Sequence, residues 1–169
     1  MPPPGAAGEE EPMQAIVKRA EGLTFLGRGD TGHWVVMDGR KESGGADGAS
    51  SPKELVLLGL GACTAFDVEG FLRKRRADVR GLAVEMDADV AADPPKVFTE
   101  IRLAYRIEGD VAPADAERAI RLSQEKYCAV SAMLRRVVPI RWTALVNGRE
   151  IASGVEGGAP HDPPDGAGA

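Results

Sequence analysis

Polar and apolar positions alternate over two long stretches in the middle of the chain. Leu82, Val84, Met86, Ala88 and Val90 share one face against Glu85, Asp87 and Asp89, while Val97, Thr99, Ile101, Leu103, Tyr105 and Ile107 alternate with Glu100, Arg102, Arg106 and Glu108. A period of two sustained this far predicts an antiparallel sheet with one face covered, its strands joined through Asp93-Pro94-Pro95. Shorter β-like stretches at 14–20, 23–26 and 33–38 are punctuated by Gly22, Gly27, Gly29, Gly32 and Gly39, and a glycine-broken loop follows over 40–50.

The clearest helix start is Ser51-Pro52-Lys53-Glu54. It places an N-cap serine before a first-turn proline and a glutamate at the third helical position, a capping box. The helix is expected to reach Arg76, with Arg73 to Arg76 placing positive charge where the helix dipole favours it. Its first half, 55–62, is apolar on nearly all faces, which predicts a buried helix. The small Gly59 and Gly61 within it suggest close approach by another backbone rather than a phosphate loop. Further helices are expected over 113–126 and 130–136, the latter ended by Pro139, and a last strand over 140–146 closes at Asn147-Gly148. The order β-β-β, helix, β-β, helices, β is not a βαβα alternation, so the fold class is α+β.

Composition bounds the reading further. With 169 residues the chain fits one domain, expected over 13–152, with disordered tails at 1–12 and 153–169 where Pro, Gly and Glu or small residues predominate. A net charge of −5 argues against nucleic-acid binding. Residues 1–12 lack a secretory pattern, and the longest apolar run, 55–66, is shorter than the roughly 20 residues of a membrane span. The expectation is a cytoplasmic protein without a membrane partner.

Two cysteines in such a chain are free or redox-active thiols more often than a structural staple. Cys63 falls in the middle of the apolar helix, with Gly59, Phe66, Asp67 and Gly70 on its face. A packed, inert thiol is the plain alternative, since burial raises a thiol pKa. The Asp67 carboxylate would raise it further, so a reactive Cys63 needs a nearby cation. Cys128 stands at a junction between helical segments, where a helix N-terminus would ease ionisation, or where the thiol is simply packed. Without Cys-x-x-Cys, and with only His33 and His161 as histidines, no metal site is expected. A serine-hydrolase reading lacks a nucleophile elbow.

The stretch 51–68, SPKELVLLGLGACTAFDV, resembles the central helix of OsmC/Ohr (organic hydroperoxide resistance) proteins, and 127–134, YCAVSAML, resembles that family's second cysteine motif. The resemblance covers about 14–151. It implies an OsmC-like α+β fold in which an antiparallel sheet packs on the buried central helix of an intertwined homodimer. It also implies a thiol peroxidase acting on organic hydroperoxides, with H₂O₂ as a further candidate oxidant, needing no metal or organic cofactor. Cys63 would be the peroxidatic thiolate that becomes a sulfenic acid, and Cys128 the resolving thiol that closes a disulfide. An external thiol, of the lipoyl dithiol type in this family, would reduce it. Family members place a glutamate ten residues before the first cysteine, where this chain has Lys53; Glu54 is one residue late and reads as the capping partner. The family's arginine corresponds to Arg28 in its glycine-flanked loop, with Arg19 and Arg40 as rivals. These departures suggest a divergent branch, and the alternative function is a non-catalytic, small-molecule-binding dimer on the same fold.

Overall fold

The computed structural model describes residues 12–158. Of the tails expected over 1–12 and 153–169, residues 1–11 and 159–169 lie outside them. The single domain expected over 13–152 divides, in the protomer, into two compact units, the division falling within α1 after Leu55.

The first unit is an antiparallel meander of β1 (Ala15–Glu21), β2 (Thr24–Gly29) and β3 (Trp34–Met37). The loop behind it is organised by one side chain. Asp38, only 3% exposed, accepts the backbone N–H groups of Gly39 (2.8 Å), Ala46 (3.2 Å) and Gly48 (2.9 Å). The Gly48 bond is foremost in holding its carboxyl below the usual carboxylate range, against the opposing effect of burial. Because the folded-state pKa lies below the unfolded one, this stabilisation is complete at neutral pH and is lost as the pH falls below about 4. Hydrogen exchange at the Ala46 and Gly48 amides is therefore expected to accelerate, relative to its intrinsic rate, on acidification. The same loss of protection is expected at neutral pH in Asp38→Ala.

The expected capping box is present at the start of α1 (Pro52–Lys74). Ser51 N donates to Glu54 Oε2 (2.6 Å) and Glu54 N donates to Ser51 Oγ (3.3 Å). Glu54 also pairs with Arg40 at 3.8 Å.

The second unit holds β4 (Asp78–Val90), β5 (Phe98–Asp110), α2 (Pro113–Leu122), a π-helical turn (Ser123–Tyr127), α3 (Ala129–Leu134), β6 (Ile140–Val146) and β7 (Arg149–Glu156). Its sheet runs β4-β5-β6-β7. The β4–β5 and β6–β7 pairs are antiparallel, but β5 and β6 pair in parallel because α2, the π turn and α3 carry the chain back over the sheet. Ile101, Leu103, Tyr105 and Ile107 of β5 and Ile140, Trp142 and Ala144 of β6 form the buried face, as their alternation predicts. Ala116, Ala119 and Ile120 of α2 and Leu60, Val68 and Leu72 of α1 complete the core.

Three expectations are corrected. The ordered chain does not end at Ala152, because β7 pairs with β6 out to Glu156. The low-propensity Ser153-Gly154 is strand because Gly154 crosses the Trp142 indole, where a Cβ would lie 2.6 Å from the ring. The Asn147-Gly148 pair, with φ of 48° and 78°, makes the hairpin turn. Second, within the protomer α1 is buried along one stripe only. Leu60, Gly61, Thr64, Val68 and Leu72 form one buried stripe, while Val56, Leu58 and Phe66 are 42%, 49% and 79% exposed. Third, Gly61 admits the Met86 side chain rather than a backbone, and nothing lies within 4 Å of where a Cβ on Gly59 would be.

By length and composition α1, with a mean hydropathy of 1.7 in its most apolar window, is long enough to cross a bilayer. Its buried stripe instead belongs to the core of the second unit, and its Thr64 and Asp67 are hydrogen-bonded there.

Candidate functional site

Cys63 projects from the middle of α1 and is partly exposed; Cys128 is 1% exposed. Both are free thiols, and Cys63 stands close enough to Cys128 to influence its ionisation. The residues between them in sequence form a strand pair and a crossover, so only tertiary folding makes them neighbours.

The backbone around Cys128 is unusual. α2 passes into the π turn Ser123–Tyr127, which ends with Cys128 N donating to Ser123 O (2.9 Å). Cys128 then serves as the N-cap of α3, its Sγ accepting the Ser131 N–H at 3.3 Å. Single π turns of this kind inside helical segments are frequent at functional sites. Arg135 holds the turn from below, donating to the carbonyls of Gln124 (2.7 Å) and Glu125 (3.1 Å).

The expectation that the helix N-terminus eases Cys128 ionisation is reversed. The Ser131 N–H does lower the thiol pKa, but desolvation outweighs it, and the neighbouring Cys63 and the Asp67 charge add to the rise, so Cys128 is pushed up to about 12. A short helix of six residues offers little dipole against a buried sulfur.

Behind the two cysteines runs a buried polar network that the sequence did not reveal. Thr64 Oγ1 lies 2.7 Å from Tyr105 Oη and 2.8 Å from Ser123 Oγ. Ser123 Oγ donates to Asp67 Oδ2 (2.9 Å). Gln124 Nε2 donates to Tyr105 Oη (2.6 Å) and to Thr64 Oγ1 (3.2 Å), and Ser131 Oγ donates to Gln124 Oε1 (2.6 Å). Burial raises the Tyr105 hydroxyl well above its ordinary range, so it stays protonated. Thr64 and Ser131 stand beside the cysteine motifs, which was a weak signal. Tyr105 was concealed in the apolar stripe of β5, and Gln124 among the exposed Arg121, Glu125 and Lys126.

On the open side, Phe66, Asp67, Gly70, Phe71, Lys74 and Tyr127 line a shallow pocket of about 210 Å³. Phe71 and Tyr127 meet at a tilt of 59° with their centroids 5.2 Å apart, and Lys74 Nζ stands 5.7 Å from the Phe71 centroid. Nothing lies within 4 Å of a Cβ built on Gly59 or Gly70, so the Cys63 side of α1 is unobstructed there.

The third residue expected in the site, Arg28, lies on β2 in the first unit with its guanidinium 5.1 Å over the Trp34 ring. Its rival Arg40 is paired to Glu54. No group of three or more His, Cys, Asp or Glu side chains able to hold a metal occurs among the described residues.

Comparison with known proteins converges on one family. Residues 44–143 match the OsmC-like protein family. Protein YhfA of Escherichia coli K12 is 43% identical over 129 residues, covering 76% of this chain and 93% of that protein. A hypothetical protein from Aquifex aeolicus VF5 superposes with a TM-score of 0.68 at 27% identity, over 81% of this chain and 98% of that one. An organic hydroperoxide resistance protein OsmC from Legionella pneumophila shares the fold, with a TM-score of 0.63 over 81% of this chain and 98% of that one, at 19% identity. Neighbouring thiols carried on an apolar helix and a helix cap, within this α+β framework, are therefore set in a chain that belongs to the OsmC family.

Proposed function

We propose that the protein is a cysteine-based peroxidase that reduces organic hydroperoxides. The observation that carries the reading is the asymmetry of two adjacent thiols, one partly exposed on an unobstructed helix face and the other buried with a raised pKa. The accessible Cys63 thiolate attacks the terminal oxygen of ROOH. The O–O bond breaks, the alkoxide leaves and takes up the proton that Cys63 released on ionising to give ROH, and Cys63 becomes a sulfenic acid. Cys128 then attacks the Cys63 sulfur, the S–O bond breaks, and the Cys128 proton leaves with the hydroxide as water. The resulting disulfide is returned to two thiols by an external dithiol, of the lipoyl type expected for the family, which is itself oxidised. Sulfur is both nucleophile and redox centre, so the cycle needs no metal or organic cofactor.

Arg28 is taken as the cationic residue of the site on the family resemblance of its glycine-flanked segment. The working form is a cytoplasmic homodimer. Val56, Leu58, Phe66, Met133 and Val137 are apolar side chains exposed on the protomer that a second copy would cover.

Mixing reduced protein with cumene hydroperoxide is expected to consume both thiols and form the Cys63–Cys128 disulfide, read by alkylation and mass spectrometry. In Cys128→Ser the reaction is expected to halt at a Cys63 sulfenic acid that dimedone traps. Thiols that persist in the wild-type protein would overturn the reading, and a monomeric mass in light scattering would overturn the homodimer.

A further inference from the structure

The buried network has a single direction, which follows from counting protons. Ser123 has one hydroxyl proton and donates it to Asp67, so it must accept from Thr64. Thr64 has then used its own proton on Ser123, so it must accept from Tyr105. The Tyr105 proton is committed in turn, so its oxygen accepts from Gln124 Nε2, and the Gln124 carbonyl accepts from Ser131. Every donor points along Ser131, Gln124, Tyr105, Thr64 and Ser123 toward the Asp67 carboxylate.

The two ends of this chain are attached to the two cysteines. Thr64 and Asp67 follow Cys63 on α1, at the next position and one turn on, and Ser131, at the other end, holds Cys128 Sγ through its backbone N–H. Gln124 is the joint, binding Ser131 on one side and Tyr105 and Thr64 on the other from within the π turn that delivers Cys128. Thr64, Ser123, Gln124 and Ser131 are at most 1% exposed, so water offers no substitute partner.

We propose that Gln124 and Ser131 are positioning residues for disulfide closure, setting the approach of Cys128 Sγ to Cys63 rather than the attack on peroxide. This rests on the peroxidase reading for its place in a cycle, but the positioning itself is measurable without peroxide. Equilibrating the full-length protein in dithiothreitol redox buffers reports the effective molarity of the cysteine pair. Ser131→Ala and Gln124→Met are expected to lower it by about tenfold or more, raising the disulfide potential by about 30 mV per tenfold. Ser131→Thr, which keeps the hydroxyl, is expected to restore it to within about threefold of wild type. After a hydroperoxide pulse, closure in Ser131→Ala is expected to slow by a similar factor, while Cys63 oxidation falls by less than about threefold.

An unchanged effective molarity in folded Ser131→Ala, absence of rescue in Ser131→Thr, or equal losses in both steps would overturn the proposal. Should Gln124→Met fail to fold by circular dichroism, the Ser131 pair decides alone. A high effective molarity in the wild type that collapses in Ser131→Ala, together with a Cys63 inert to peroxide, would sink the peroxidase reading and leave the positioning role standing.

Discussion

Cys63→Ser is expected to abolish hydroperoxide consumption, leaving only the rate measured in buffer with reductant. A serine hydroxyl in the same place is a far weaker nucleophile and has no sulfur oxidation states to pass through. The substitution changes one atom at a partly exposed position on α1, so folding is expected to be preserved. Initial rates with cumene hydroperoxide and a dithiol, beside a thermal melt of the same sample, make the comparison. A folded Cys63→Ser protein as active as wild type would move the chemistry to Cys128, whose burial and pKa of about 12 argue against first attack. Arg28→Ala is expected to act in the same direction but less completely, since it weakens the thiolate without removing the sulfur.

The largest expected loss of stability is at Gly109, remote from both cysteines in sequence. Its φ of 134° lies where side chains are strained, and an added Cβ would stand 1.9 Å from Asp78 O. Asn147 also pins this glycine, accepting from Gly109 N (3.0 Å) and donating to Gly109 O (2.9 Å). The β4 strand opposite is irregular between Val79 and Gly81, so the pairing has no slack to absorb a methyl group. Gly109→Ala combines backbone strain with overpacking, which costs about 3 kcal/mol or more. That corresponds to a fall in melting temperature of roughly 6–12 °C for a chain of this size. An unchanged melt would show that the β4–β5 bulge relaxes freely.

Much of the framework was legible before any coordinates. The period-two stripes anticipated the β4–β5 pair and its buried face, and the Ser51-Glu54 spacing anticipated the capping box atom by atom. The Pro113 helix start and the 140–146 strand were read where they lie. What failed has physical causes. β7 looked like tail because Ser153 and Gly154 have weak strand propensity, yet the Trp142 indole demands a residue without a side chain there. The Asn147-Gly148 pair was read only as the end of the last strand, where it is the turn into β7. The apolar first half of α1 implied burial, because composition records that a surface is apolar and not what covers it.

The sequence by itself determined the family and picked out both cysteines, since motif spacing and helix capping are local properties of the chain. Only the tertiary structure decided that the thiols are neighbours, that Cys128 is harder and not easier to ionise, and that six polar side chains form one directed chain behind them. Those facts depend on desolvation and on hydrogen-bond partners from α1, β5 and α3, which no local pattern encodes.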